Sequence, residues 1–184
     1  GGIVKEIVRY TPSDPNLGTR IAAMSADTNA VFIPASENDA RAIGNYLDQN
    51  NMSASRVKRL GTGLWDNPQI AKISTLQGGL FANPSPQKYA FFKNKYKDAY
   101  GTEPARIASL AFDATALAAT LIQNSAGQRN PQPFARKYIT DRNGYAGADG
   151  VFRFAPSGIV QRKLSILELR NGSIIEVIPA SKQF

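Results

Sequence analysis

Cysteine and histidine are both absent from this 184-residue chain. Their absence excludes disulfides, thiolate and imidazole metal sites, Ser-His-Asp triads and Cys-His nucleophile pairs. Most hydrolytic and metal-assisted chemistry goes with them, leaving only carboxylates, lysine or tyrosine to carry catalysis. No catalytic residue, cofactor or metal site is expected. Long apolar runs are lacking too: no stretch reaches the roughly 20 residues that a membrane span needs. The opening GGIVKEIVRY has neither the basic n-region nor the apolar run of a signal peptide, and reads as a strand. A chain that begins inside a strand is expected to be the downstream part of a longer protein. Zero cysteine leaves the compartment open, because reduced cytosol and exported bacterial proteins both tolerate it.

What is present is enough apolar residue, 42 %, to bury a core in one or two domains. The formal net charge is +8. Its basic residues recur along the chain, as Arg56, Lys58 and Arg59, then Lys93, Lys95 and Lys97, then Arg136, Lys137 and Arg142, then Arg162 and Lys163. Nucleic-acid binding needs a continuous basic face, so dispersal over five elements argues against it. A dispersed cationic surface suits an anionic environment such as a bacterial envelope.

Element signals follow in a regular order. Ile3–Tyr10 is expected as a strand, followed by a short helix that Asp14 caps, with Pro15 at its first position and Leu17, Ile21 and Met24 inward. The apolar run Ala30–Ala35 predicts a strand covered on both faces. Ser36 caps a helix with Glu37 and Asp39 in its first turn and an inward stripe of Ala40, Ile43 and Leu47, which Asn50-Asn51 ends. Val57–Leu60 is a further strand leading into GTGLWD (Gly61–Asp66). Asn67-Pro68 opens a weak helix, and Gly78–Ala82 is extended. This alternation predicts a parallel sheet with helices on both faces, and ligands of such sheets sit beyond the carboxyl ends of the strands.

After Ala82 the pattern changes. Ser85-Pro86 starts a helix carrying Tyr89, Phe92 and Tyr96. Pro104 precedes an Ala-rich helix with Ile107, Leu110, Ala114, Leu117 and Leu121 on one side. Asn130-Pro131 is expected to open a third helix, with Phe134 and Tyr138. Three helices without intervening strands imply a sheet supplied from elsewhere. At the end, GVFRFAPSG (Gly150–Gly158) precedes Lys163–Ile178, where Asn171-Gly172 marks a two-residue type I′ hairpin that closes the sheet.

This order of parts resembles the periplasmic type I solute-binding proteins, in particular the branched-chain amino acid (Leu/Ile/Val) receptors. The resemblance rests on GGIVKEIVRYTPSDPNLGTRIAAM leading to NAVFIPASENDARAIGNYL, on KYKDAYGTEP and RIASLAFDATALAATLI, and on GADGVFRFAPSG before the NGS hairpin. It runs over nearly the whole chain. A second group of the same architecture is the penicillin-binding protein activators, outer-membrane lipoproteins that use the fold to dock on a peptidoglycan synthase.

The resemblance implies an α/β fold of two lobes that close on a ligand by a hinge. Residues 1–80 and 157–184 would form the C-terminal lobe, and 81–156 the helices returned to an N-terminal lobe. The missing first half would leave Leu110, Leu117 and Leu121 exposed. The implied function is binding of a small molecule, an amino acid or amide, in the periplasm, with a transporter permease as partner and an N-terminal lipid anchor. The alternative is activation of a cell-wall synthase.

In amino-acid receptors of this kind, the loop after the third strand bears a carboxylate for the ligand ammonium. Aligning LGTG with the family's apolar-Gly-Pro-Glu pattern places that position at Gly63, where the acid is missing. Asp66 and Glu37 are the candidates to replace it, and each also reads as a helix-cap charge. Trp65, the single tryptophan, either stacks on a ligand or anchors a partner at the cleft rim, or is a buried core indole. Tyr10, Ser36 and Thr62 complete the expected lining. Asp113 is expected to brace helices.

Three near-matches carry nothing. Gly61-Thr62-Gly63 has Asp66 where a dinucleotide loop needs its third glycine. Ser55–Lys58 fits S-x-x-K without the accompanying motifs. No acidic pair is placed at glycosidase separation.

Overall fold

The first strands align because their residues leave little choice of pairing. The computed structural model describes residues 2–129 and 131–184. β1 (Ala30–Phe32), β2 (Lys58–Gly61) and β3 (Leu80–Asn83) run parallel, with Val31 opposite Arg59 and Leu60 opposite Leu80. β7 (Ser165–Arg170) and β8 (Ser173–Ile178) form an antiparallel hairpin that joins them, giving the order β1-β2-β3-β7-β8. Asn171 and Gly172 both take positive φ, 51° and 76°, as a type I′ turn requires.

α1 (Leu17–Ala22) and α2 (Glu37–Gln49) cover this sheet, and their inward residues are those the spacing predicts: Leu17 and Ile21, then Ala40, Ile43 and Leu47. Ser36 is the N-cap of α2, but its hydroxyl makes no capping bond, and Ala40 N–H bonds its carbonyl instead. α3 (Pro68–Ala71) starts where the Asn67 side chain accepts from Gln69 N–H at 2.7 Å. Leu167 and Leu169 of β7 lie in the same core as Leu47, Val57 and Leu76.

Three expectations need correction in this unit. Ile3–Tyr10 is not a strand: a strand needs a ladder partner, and Ile3, Val4 and Ile7 stand exposed. Only Val8 and Tyr10 pack partly on the core. The helix cap lies at Asn16, two residues later than expected, because Asp14 uses its carboxylate to accept from Asn16 N–H. β1 is an exposed edge strand, not one covered on both faces; burial begins beyond it at Ile33 and Ala35.

The chain divides into two compact units. The one just described ends at Asn83 and includes Ile166–Ile178; the second comprises Pro84–Ser165 and Pro179–Phe184. In the second, α4 (Pro86–Tyr100) ends at left-handed Gly101, and Phe92 packs against Tyr89, Tyr96 and Phe112. α5 (Ala108–Ser125) and α6 (Arg136–Ile139) follow, then a small antiparallel sheet of β4 (Tyr145–Gly147), β5 (Gly150–Phe154) and β6 (Val160–Arg162). The proposed helix start at Asn130 lies outside the described residues.

The small sheet β4–β6 belongs to the same unit as these helices. The buried side of α5 differs from the expected stripe: Ser109, Asp113, Leu121 and Ser125 are buried and Ile107 is exposed. Leu110 is exposed as the missing half implies, Leu117 is half-buried, and Leu121 is not exposed. The reason is electrostatic. Asp113 accepts from Arg162 at 3.0 Å and from Ala148 N–H at 2.6 Å, and Ser109 donates to Asp149 at 2.6 Å. Arg106 pairs with Asp149 at 3.0 Å. Buried carboxylates need such partners, so the helix turns its polar stripe to them. Asp113 braces a helix against the β4–β5 turn. Phe112 and Ile122, with Leu110, remain on the surface.

Candidate functional site

The turn after β2 carries three of the six expected residues, Thr62, Trp65 and Asp66, on one edge of the first unit. β2 leads directly into Thr62, whose hydroxyl accepts from Leu64 N–H at 3.3 Å and caps a single 3₁₀ turn, Gly63–Trp65. The turn closes through Trp65 N–H to Thr62 C=O at 2.9 Å and Asp66 N–H to Gly63 C=O at 3.1 Å. This directs the Trp65 side chain down into the core and leaves Asp66 exposed above it.

Trp65 is 0 % exposed and meets Phe81 edge-on, with ring centroids 6.2 Å apart. Gly61 and Gly79 make room for it: a Cβ at either would run into the indole. Of the readings the sequence leaves open, the core indole is the one the structure contains. Its ring has no face free for a ligand. Its Nε1–H has no hydrogen-bond partner among the described residues, and the Thr75 hydroxyl is in the same position. A buried donor left so costs about 1–3 kcal/mol, and close packing has to offset that.

Asp66 accepts a 2.7 Å hydrogen bond from Asn83 Nδ2 at the end of β3. Asn83 is a site residue that sequence reading missed. Its only signal was a polar side chain ending an apolar strand, just before Pro84. Gly63 lies against the same amide: a Cβ there would stand 2.9 Å from Asn83 Oδ1. The position where the resemblance expects an acid is thus filled by Asn83, and the acid stands three residues later, held by that asparagine.

Ser36 and Glu37 sit at the start of α2, and Tyr10 lies within reach of the Asp39 charge there. Ser36 is exposed with an uncommitted hydroxyl by its cap geometry. Glu37 is half-buried and accepts from Arg41 Nη2 at 3.3 Å, one helical turn on. Tyr10 is half-buried; burial first, and then the Asp39 charge, raise its phenol above the ordinary tyrosine range. Tyr10 is therefore a neutral hydrogen-bonding group beside the acidic first turn of α2. Behind the site, Arg59 on β2 is 1 % exposed. It donates to Asp48 at 3.1 Å and to the carbonyls of Met52, Val57 and Thr75, which fixes β2 against the end of α2. Burial pulls its guanidinium below the ordinary arginine value, and Asp48 counteracts this.

Among the described residues no group of acidic side chains has a metal-binding arrangement. Among them, too, no helix is long and apolar enough to cross a membrane. The arrangement offers hydroxyls, an exposed carboxylate on a fixed amide, and a neutral phenol. Such a set binds small polar or cationic groups.

No protein-family model and no curated protein matches the sequence. Solved structures do. A leucine-binding protein from Thermotoga maritima is 22 % identical with a TM-score of 0.63, over 94 % of this chain and 51 % of its own. A branched-chain amino acid transporter substrate-binding protein from Streptococcus pneumoniae, in complex with isoleucine, is 17 % identical with a TM-score of 0.57, over 95 % and 51 %. The C-domain of LpoA from Haemophilus influenzae, a regulator of PBP1A, is 15 % identical with a TM-score of 0.59, over 92 % and 51 %. The chain spans about half the length of each. Its fold is therefore that of the type I periplasmic binding proteins, a mostly parallel sheet flanked by helices.

Proposed function

We propose that this chain is the C-terminal half of an extracytoplasmic solute-binding protein that takes an amino acid or small amide at the carboxyl ends of β1–β3. Asp66 pairs with the ligand ammonium, and Ser36, Thr62 and the Tyr10 phenol supply further hydrogen bonds. Glu37 adds negative potential, and Trp65 supports the turn from below. The observation that carries this reading is the Asn83–Asp66 hydrogen bond beside Gly63, which keeps a carboxylate on the expected loop although the expected position has none. Residues 81–156 supply helices to a second lobe, and the exposed apolar residues of α5 cover its sheet. In the cell the protein works in the periplasm, delivers its ligand to a transporter permease and is held by an N-terminal lipid. No catalysis is assigned. The test is a thermal-shift screen of the full-length protein against the amino acids, with isothermal titration of any hit; stabilisation by none of them defeats the reading.

A second reading is favoured by Phe32 and Leu64, large apolar side chains exposed at the same strand ends. In it the edge docks on a protein, a peptidoglycan synthase, as an activator does. Pull-down of a purified synthase by the full-length protein, lost in Leu64→Asp, together with a negative ligand screen, selects this reading.

A further inference from the structure

The sequence spreads its basic residues, but the fold separates charge completely. The unit comprising Pro84–Ser165 and Pro179–Phe184 carries 13 Lys and Arg against five Asp and Glu. The other unit carries nine of each, so the whole formal excess of +8 belongs to the α4–β6 unit. Of its five acids, Asp113 and Asp149 are buried in ion pairs with Arg162 and Arg106, and Glu103 is paired with Lys93. Each of these pairs also uses one cation, so the unit's formal excess stays at +8.

Within it one arrangement is specific. β5 and β6 pair Arg153 with Gln161, and Lys163 N–H bonds Val151 C=O, so Arg153, Gln161 and Lys163 share one face of the small sheet. Phe184 folds back onto that face. The Arg153 guanidinium lies 4.2 Å from its ring centroid and the Lys163 ammonium 4.6 Å from the same centroid. Arg153 also donates to Gln161 Oε1 at 2.8 Å and to Arg142 C=O at 3.1 Å, which fixes its fork. Among the described residues no carboxylate is paired with Arg153, Lys163 or Arg142. Two like charges on one ring repel one another, and an anion placed near them lowers that cost.

We infer that this face binds a linear polymer bearing phosphate groups, with Arg153 and Lys163 as the phosphate contacts beside Phe184. Guanidinium forks and ammonium groups are the usual partners of phosphate oxygens. The neutrality of the other unit confines the attraction to this one. This inference stands apart from the ligand edge at β1–β3, and neither depends on the other.

The probe is immobilised inorganic polyphosphate, with the full chain applied at low salt. Retention that falls with rising salt is expected, since binding releases counterions. Arg153→Gln with Lys163→Gln should weaken it about tenfold or more, as loss of two charge-assisted contacts implies. The charge-keeping pair Arg153→Lys with Lys163→Arg should restore most of it. Arg56→Gln with Lys72→Gln removes the same charge from the neutral unit and should leave affinity within about twofold. The inference is overturned by no retention, by equal loss in both glutamine pairs, or by full competition from orthophosphate at equal phosphate concentration. Binding to phosphatidylglycerol vesicles without binding to polyphosphate also overturns it, assigning the face to a membrane surface.

Discussion

Asn83 Nδ2 donates to the Asp66 carboxylate over 2.7 Å, joining the end of β3 to the turn after β2. One short bond thus sets where the exposed acid of this strand edge points. Asp66→Asn should leave stability within about 1 kcal/mol, because an exposed carboxylate contributes little to folding. Amino-acid affinity should fall about tenfold or more as a charge-assisted contact to the ammonium disappears. Titration calorimetry beside urea denaturation of the full-length protein separates the two effects.

Gly63 and Asn83 should be energetically coupled. Gly63→Ala places a methyl 2.9 Å from Asn83 Oδ1 and pushes the amide away from Asp66. The expected cost is about 1 kcal/mol, the usual net value of one hydrogen bond. In an Asn83→Ala background the same substitution should cost almost nothing. A double-mutant cycle with no interaction energy would show that the two do not share the site.

Trp65→Ala should destabilise by about 3–5 kcal/mol, the range for emptying an aromatic site in a core. The indole is closed off between Gly61, Gly79 and Phe81. The denaturation midpoint reports this. Loss of ligand affinity with unchanged stability would contradict the burial.

Arg59 and Asp48 form one ion pair with unequal stakes. Arg59→Ala removes a buried guanidinium that four acceptors surround, and should cost about 3–5 kcal/mol. Asp48→Asn touches the half-exposed partner and leaves three carbonyls in place, so about 1 kcal/mol or less is expected.

A small acid-side dependence should come from β7. Arg170 donates to Glu168, holding its carboxyl below the ordinary glutamate range. A depressed folded value contributes stability that is present above the unfolded glutamate value. That contribution is lost as pH falls through the depressed one. Glu168→Gln should flatten this part of the stability profile, by no more than about 1 kcal/mol for so exposed a pair.

Local rules explain what could be read from the residues alone. The stripe of α2, the turn at Asn171-Gly172 and the parallel β1–β3 order follow from spacing and backbone preference, which neighbours in sequence decide. The likeness to two-lobed binding proteins was legible for the same reason, as an order of parts. The expected carboxylate position was traceable to Gly63, but its replacement was not. Whether Asp66 takes that role depends on Asn83, seventeen residues away, reaching it across adjacent strands.

The sequence by itself determined the stripe of α2, the parallel order of β1–β3 and the turn at Asn171-Gly172, and that catalysis by thiol or imidazole of this chain is impossible. Tertiary structure decided the rest. It turned Ser109 and Asp113 of α5 inward, because Asp149, Arg162 and the Ala148 amide lie there to receive them. It buried Trp65, because two glycines and Phe81 enclose one volume.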